Sequence, residues 1–179
     1  MKIEHNGWTA EITVEQDQCG MGAPWEEHDG HGEVTGWERR DKRPGEWILC
    51  GDRGAKRFYN FAGAMKTARA DGWGIGDEAL AVLERGLGRK ATKGEVFEAA
   101  VKSDFEYLAG WANDRWTWLC YSTEITSPDG RTFLGDSCGG LDDGKYLMEA
   151  AKAAAVYEID RLILTDDQTA LAGRWLGVH

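Results

Sequence analysis

Apolar and polar residues alternate along the first part of the chain in the pattern of β-strands with one buried face. The alternation is clearest from Trp8 to Glu15. Two shorter stretches, Glu46 to Cys50 and Ala55 to Tyr59, flank the sequence Gly51-Asp52-Arg53-Gly54, which is typical of a tight turn. The pattern therefore predicts one strand and one hairpin in this part of the chain.

A second hairpin is predicted in the last third of the chain. Residues from Trp116 to Ile125 are rich in aromatic and β-branched side chains. The sequence Ser127-Pro128-Asp129-Gly130 follows them, with proline and glycine at positions that suit a turn. Arg131 to Cys138 can then return as the second strand.

Apolar positions three and four residues apart predict the helices. Asn60 and Thr92 are suitable caps, and Glu95 completes the capping-box pattern that begins at Thr92. The glycine at position 72 is typical of a helix end. The predicted helices run from the Asn60 cap to about Asp71, from Asp77 to Leu87, from Thr92 to about Trp111, and from an Asp143 cap to about Leu164.

Hairpins alternating with helices predict the α+β class, with antiparallel β-hairpins packed against helices. The 179 residues suit a single α+β domain, 1–179. The sequence also suggests two degenerate ββα-type halves, 1–75 and 103–165, joined by a helical segment. Asp17 to Gly45 has few apolar residues and predicts a long loop or an irregular hairpin, with a short strand near Val34 to Trp37.

Charge is distributed unevenly along the chain. There are 21 basic and 31 acidic residues, and the net charge is −10. Residues 1–35 and 103–179 each carry −7, whereas 36–70 carry +5. We expect no general DNA binding, because the phosphates would be repelled, but an acidic surface can imitate nucleic acid towards a basic partner. The alternative is that the acids only keep the protein soluble.

Composition narrows the class of protein further. No apolar run is long enough to span a membrane, and the first residues lack the apolar core of a signal peptide, so we expect a cytosolic protein with no membrane partner. The four cysteines lie far apart, without a C-x-x-C pair, and are expected to be buried free thiols. Among the nine tryptophans, we expect Trp111, Trp116 and Trp118 to pack in the core, the last two on one face of their strand.

Basic residues and tryptophans occur together between positions 37 and 57. We predict a ligand-binding site there, in which guanidinium groups surround a phosphate and an indole ring stacks on a base. The alternative is that these basic residues pair with nearby acids, since no glycine-rich phosphate motif accompanies them. The predicted residues, of which the basic ones before Pro44 should be more exposed than Arg57, are Trp37, Arg39, Arg40, Lys42, Arg43, Trp47 and Arg53.

Histidines at positions 28 and 31 lie among acidic residues, and both residue types coordinate divalent metals. However, His28 and His31 are in a glycine-rich loop, and the sequence identifies no third ligand. We therefore predict no metal and no other cofactor. The chain also lacks a G-x-S-x-G elbow and has only four histidines, so we predict no catalytic residues and favour a protein that is not an enzyme.

Five runs of sequence carry a resemblance: Asp29–Gly32, Trp37–Glu46, Asp52–Tyr59, Ala68–Gly74 and Asp104–Trp116. Together they resemble a family of small accessory proteins of tailed bacteriophages, over roughly residues 25–160. The resemblance implies a protein that acts in the cytoplasm of an infected bacterial host. It implies no activity and no catalytic residues.

The sequence therefore leads to one functional hypothesis and two alternatives. We expect a phage accessory protein that binds and inhibits a host or antiviral-defence component, such as a CRISPR effector or another nucleic-acid-handling complex, by acidic mimicry of nucleic acid. The first alternative is a module that binds a nucleotide or a signalling molecule through residues 39–57. The second is a metal-dependent enzyme at His28 and His31.

Overall fold

The structure is a computed structural model that describes residues 1–18, 21–142 and 144–176. It confirms the α+β class, with antiparallel hairpins packed against helices. In chain order the elements are β1 (Lys2–His5), β2 (Trp8–Gln16), α1 (Pro24–Glu27), β3 (Glu46–Asp52), β4 (Ala55–Asn60), α2 (Phe61–Asp71), α3 (Asp77–Leu87), α4 (Lys93–Ala112), β5 (Leu119–Thr126), β6 (Thr132–Leu141) and α5 (Gly144–Leu176).

The chain forms two compact units. Unit 1 comprises residues 1–21 and 117–179, and unit 2 comprises residues 22–116. The single domain and the two ββα halves stay predictions. Among the described residues, no helix is long and apolar enough to cross a membrane.

Unit 1 is a four-stranded antiparallel sheet in the order β1-β2-β5-β6, with α5 against one face. Side chains alternate across a strand, so every second residue of β2 points towards the helix. Every fourth residue of α5 forms the matching buried stripe. The buried side chains of this core include Trp8, Ala10, Ile12, Leu147, Ala151, Ala155 and Ile159.

Unit 2 contains the hairpin β3-β4 and the helices α1 to α4. Arg53 and Gly54 form its turn with φ angles of 45° and 82°, the left-handed pair that matches the twist of a two-residue hairpin. The Asn60 side chain accepts from the Gly63 N–H and caps α2, as predicted. Thr92 and Glu95 form the predicted capping box of α4.

Several predicted boundaries are wrong for identifiable reasons. β5 begins at Leu119, because Trp116 is held on α4 instead, where its indole Nε1 donates to the Tyr107 carbonyl at 2.9 Å. Trp116 and Trp118 therefore do not share a strand face, although Trp118 is buried as expected. Helix α5 continues past Leu164 to Leu176, since no proline or glycine interrupts it before Gly173.

The predicted loop and the predicted thiols also differ in part. The segment from Asp17 to Gly45 contains the short helix α1, and instead of a strand near Val34 to Trp37 it has two isolated bridges to β4, at Val34 and Glu38. Cys50, Cys120 and Cys138 are free, as predicted, but of these only Cys50 is buried. The predicted cap Asp143 and the fourth cysteine, Cys19, lie outside the described residues.

Candidate functional site

Unit 2 carries an open pocket with aromatic walls, which we call the tryptophan pocket. Its volume is about 260 Å³. Three indole rings, one guanidinium, one thiol and one carboxylate belong to its lining. These are the side chains of Trp25, Trp37, Trp111, Arg57, Cys50 and Glu26.

Three separate elements bring the rings of the tryptophan pocket together. Trp25 lies in α1, which begins at Pro24, where proline is favoured because the first helical N–H needs no partner. Trp111 lies in the last turn of α4. The two rings meet edge to face, with centroids 5.4 Å apart and planes at 88°, one of the arrangements that aromatic pairs favour.

Trp37 lies in a loop whose backbone runs alongside β4. On one side of it, the Thr35 N–H donates to the Phe58 carbonyl at 2.9 Å. On the other side, Glu38 and Lys56 exchange two backbone hydrogen bonds of 2.8 and 2.9 Å. The ring of Trp37 is nevertheless 50% exposed. The loop backbone is therefore fixed while the indole remains available.

The guanidinium of Arg57 lies close to two of the indole rings. It is 5.4 Å from the ring centre of Trp25 and 5.2 Å from that of Trp37, within the range of cation–π attraction. Its one hydrogen bond to a described residue goes to the Thr35 carbonyl, at 3.5 Å. Within the described chain, no carboxylate forms an ion pair with Arg57.

Cys50 contributes a neutral surface to the tryptophan pocket. Its side chain is buried, and burial raises the pKa of the thiol, an effect that the positive charge of Arg57 opposes only in part. The thiol therefore stays protonated at neutral pH and acts as a small apolar group.

Arg40, one of the predicted ligand-binding residues, is held by carboxylates. Its two terminal nitrogens donate to Glu46 at 2.6 and 2.8 Å, its Nε donates to Glu38, and its guanidinium lies 4.1 Å from the ring centre of Phe58. Arg40 lowers the pKa of Glu46 to about 2. Arg40 is half-buried, as Arg57 is, because Glu46 holds it at the start of β3 and Glu38 is bridged to Lys56 on β4.

Trp47, Arg53 and the remaining predicted basic residues do not line the tryptophan pocket. Trp47 is stacked on Phe61 with ring centres 4.1 Å apart and contacts Phe105 edge-on, so its ring is part of the packing of unit 2. Arg53 sits at the tip of the hairpin with 92% of its side chain exposed. Three more basic side chains are exposed on the loop, as predicted: Arg39, Lys42 and Arg43.

Of the seven predicted residues, only Trp37 lines the tryptophan pocket. Sequence reasoning missed Trp25 and Arg57 and assigned Trp111 to the core. The alternation of side chains along β4 could have indicated Arg57. Arg57 lies two positions before Tyr59, so the two side chains are on the same face of the strand, and Tyr59 is buried.

His31 belongs to a different cluster, centred on the carboxylate of Asp104. The His31 Nδ1 lies 2.5 Å from Asp104 Oδ1, and the other carboxylate oxygen accepts from the Gly32 N–H at 2.8 Å and from the Tyr59 hydroxyl at 2.6 Å. The imidazole also stacks on Tyr107. Burial, with the nearby Asp104 carboxylate, raises the pKa of Tyr59. Asp104 thus fastens the loop to β4 and α4.

Metal ligation has no support from this cluster. Among the described residues, no group of three or more His, Cys, Asp and Glu side chains is arranged to hold a metal ion. His28 is exposed in the loop, while His31 is engaged by Asp104.

No family model, curated protein or solved structure matches the chain. A functional interpretation therefore depends on the tryptophan pocket, on the distribution of charge and on the sequence resemblance described above.

Proposed function

We propose that the chain is a phage accessory protein that binds and inhibits a host or antiviral-defence protein in the cytoplasm of the infected bacterium. The observation that carries the binding role is the half-exposed ring of Trp37 next to the guanidinium of Arg57, at the mouth of an open pocket. Tryptophan and arginine are the residues that most often dominate protein interfaces. The phage setting is drawn from the sequence resemblance.

The Trp37 and Arg57 side chains favour binding because they are already held in place before a partner makes contact. The loop that carries Trp37 is hydrogen-bonded to β4 on both sides, and the Arg57 guanidinium contacts the rings of Trp25 and Trp37. Immobilising a free side chain costs roughly 0.5–1.5 kcal/mol when a complex forms. A side chain that is already fixed avoids most of that cost.

The negative charge of unit 1 favours a partner with a basic surface. Unit 1 has six basic and fourteen acidic residues, a net −8, whereas unit 2 has fifteen and seventeen. On the sheet face away from α5, β2 and β5 expose Glu11, Glu15 and Glu124. Such a field attracts a nucleic-acid-binding groove, which is the mimicry part of the proposal.

The two alternatives have less support. A phosphate pocket would require several free guanidinium groups, but Arg40 is occupied by Glu38 and Glu46, and Arg53 projects from a hairpin tip. A metal-dependent enzyme would need several ligands around one ion. His31 is already held by Asp104, and no group of three or more potential ligands is arranged for a metal among the described residues.

The test is photo-crosslinking from position 37, followed by binding measurements with the purified partner. We expect Trp37→Ala to weaken the complex by about 30-fold, the effect of losing roughly 2 kcal/mol, mainly through faster dissociation. Tyr157→Ala removes an even more exposed ring from α5 and should change little. A partner that binds Trp37→Ala as tightly as the unchanged protein would refute the proposed contact.

A further inference from the structure

We infer that the tryptophan pocket accepts one aromatic side chain that carries a carboxylate close to its ring. The inference rests on the proposed function and states the chemistry of the partner at this contact. The carboxylate can be a chain terminus or a neighbouring acidic side chain, and the experiment below separates the two.

The size of the pocket favours a single side chain as its occupant over a whole small-molecule ligand. Sites for whole small-molecule ligands are usually about 300–1,000 Å³. At about 260 Å³, the tryptophan pocket is below that range.

The walls favour an aromatic group. Trp25 and Trp111 meet edge to face, which leaves ring faces and edges on which a third ring can stack or abut. Cys50 adds a neutral thiol. No hydrogen bond joins the indole N–H of Trp25, Trp37 or Trp111 to another described residue. These N–H groups remain donors for an acceptor-bearing ligand.

The charge at the pocket favours a carboxylate. Some arginines of the chain already hold acids, among them Arg40 with Glu46, Arg89 with Glu95, and Arg131 with Asp129 and Asp166. Arg57 is half-buried at the pocket, and its guanidinium has only the long contact to the Thr35 carbonyl among the described residues. Only one guanidinium N–H of Arg57 donates to a described residue, so the other N–H groups can donate to a carboxylate.

A carboxylate fits better than a phosphate because Arg57 is the one basic residue that lines the pocket among those described. Glu26, at the same pocket, further opposes a doubly charged anion. The Glu26 side chain is exposed, and neutralising it should strengthen the binding of any anion.

The experiment titrates the full-length protein with matched pairs of small probes and follows the indole N–H signals by NMR. Indole-3-acetate is compared with indole-3-acetamide. N-acetyltryptophan, with a terminal carboxylate, is compared with its amide. N-acetyl-Asp-Trp-amide, with a side-chain carboxylate, is compared with its Asn counterpart, and AMP with adenosine.

We expect millimolar binding of the acids and about tenfold weaker binding of the amides. Binding should shift the Trp37 indole signal, which is assigned by its absence from the spectrum of Trp37→Ala. Arg57→Gln should remove the preference for acids without abolishing amide binding, and Arg57→Lys should retain part of it. Glu26→Gln should strengthen binding of the acids. Thermal unfolding of each variant checks that the fold is kept.

Equal binding of acids and amides, no binding of any probe, or a preference confined to AMP over adenosine would each overturn the inference. Partner binding by Trp37→Ala, measured separately, decides the proposed function. If Trp37→Ala weakens the partner complex while the probes show no acid preference, the proposed contact stands and the carboxylate inference fails.

Discussion

Glu11 on β2 lies directly opposite Glu124 on β5, on the exposed face of the unit 1 sheet. Like charges in this position repel each other across the strands. Lys2 reaches Glu11 at 3.4 Å, so Glu124 is the member of the pair whose replacement leaves that ion pair intact.

Replacing Glu124 by Gln should therefore stabilise the protein. We expect a gain of about 0.5 kcal/mol in the free energy of unfolding, and a smaller gain at high salt, because salt screens exposed charges. Denaturant titration at two salt concentrations measures it. Glu15→Gln is the matched control, because Glu15 faces Cys120 rather than an acid. An equal gain in both variants would mean that general charge reduction, not the pair, is responsible.

The acidic surface of unit 1 should control the rate of association with the partner. Exposed charges act over a Debye length of about 8 Å at physiological ionic strength, so association should slow as salt rises. The variant Glu15→Lys should associate more slowly and dissociate at the same rate, whereas Glu78→Lys in unit 2, with the same change of charge at an exposed site, should have less effect. Stopped-flow or surface-based kinetics measure these rates, and an association rate indifferent to salt contradicts the mimicry.

Loss of the carboxylate at Glu46 should destabilise unit 2 in a pH-dependent way. Arg40 lowers the pKa of Glu46 from 4.5 to about 2, so the ionised carboxylate stabilises the folded state fully above pH 4.5. This contribution is lost as the pH falls towards 2. The melting temperature of Glu46→Gln should lie below that of the unchanged protein at pH 7, and the two should converge between pH 4.5 and 2.

The neighbouring variant Asp41→Asn is the control for this pH dependence, because the Asp41 side chain is exposed. Glu95, whose pKa is also about 2, titrates in the same range but is unchanged in both proteins. A Glu46→Gln difference that persists at pH 2 would argue against the ion pair as its cause.

Gly32 should not tolerate a side chain. A Cβ at this position would lie 2.5 Å from the Tyr59 ring, which is fully buried and hydrogen-bonded to Asp104. Gly32→Ala should cost about 1–3 kcal/mol, as overpacking typically does. Gly36→Ala, where no atom lies within 4 Å of the added carbon, should cost much less. Similar melting temperatures for the two variants would show that the loop moves away from Tyr59 without penalty.

Short-range signals predicted much of the fold. The Asn60 cap, the Thr92 and Glu95 capping box and the turn at Arg53-Gly54 depend on residues within four positions of one another, and the structure has all of them. The sequence did not predict that β2 pairs with β5, because that pairing depends on side-chain packing between distant segments.

The candidate site was predicted only in part for the same reason. Trp37 and Trp47 both lie among basic residues, and local composition does not distinguish them. The difference comes from tertiary contacts, since Trp47 meets Phe61 and Phe105 whereas Trp37 meets Arg57. The acidic neighbours that occupy Arg40 are likewise brought together by the hairpin and the bridge at Glu38.

The pairing of β2 with β5 also has a consequence for synthesis of the protein. All of unit 2, residues 22–116, lies between these two strands in the sequence. A ribosome therefore completes unit 2 before any residue of β5 has been made, and during that interval β2 has an unpaired edge. The sheet of unit 1 can close only after Leu119 and the residues beyond it have emerged, so β2, although it is made early, completes its hydrogen bonds late.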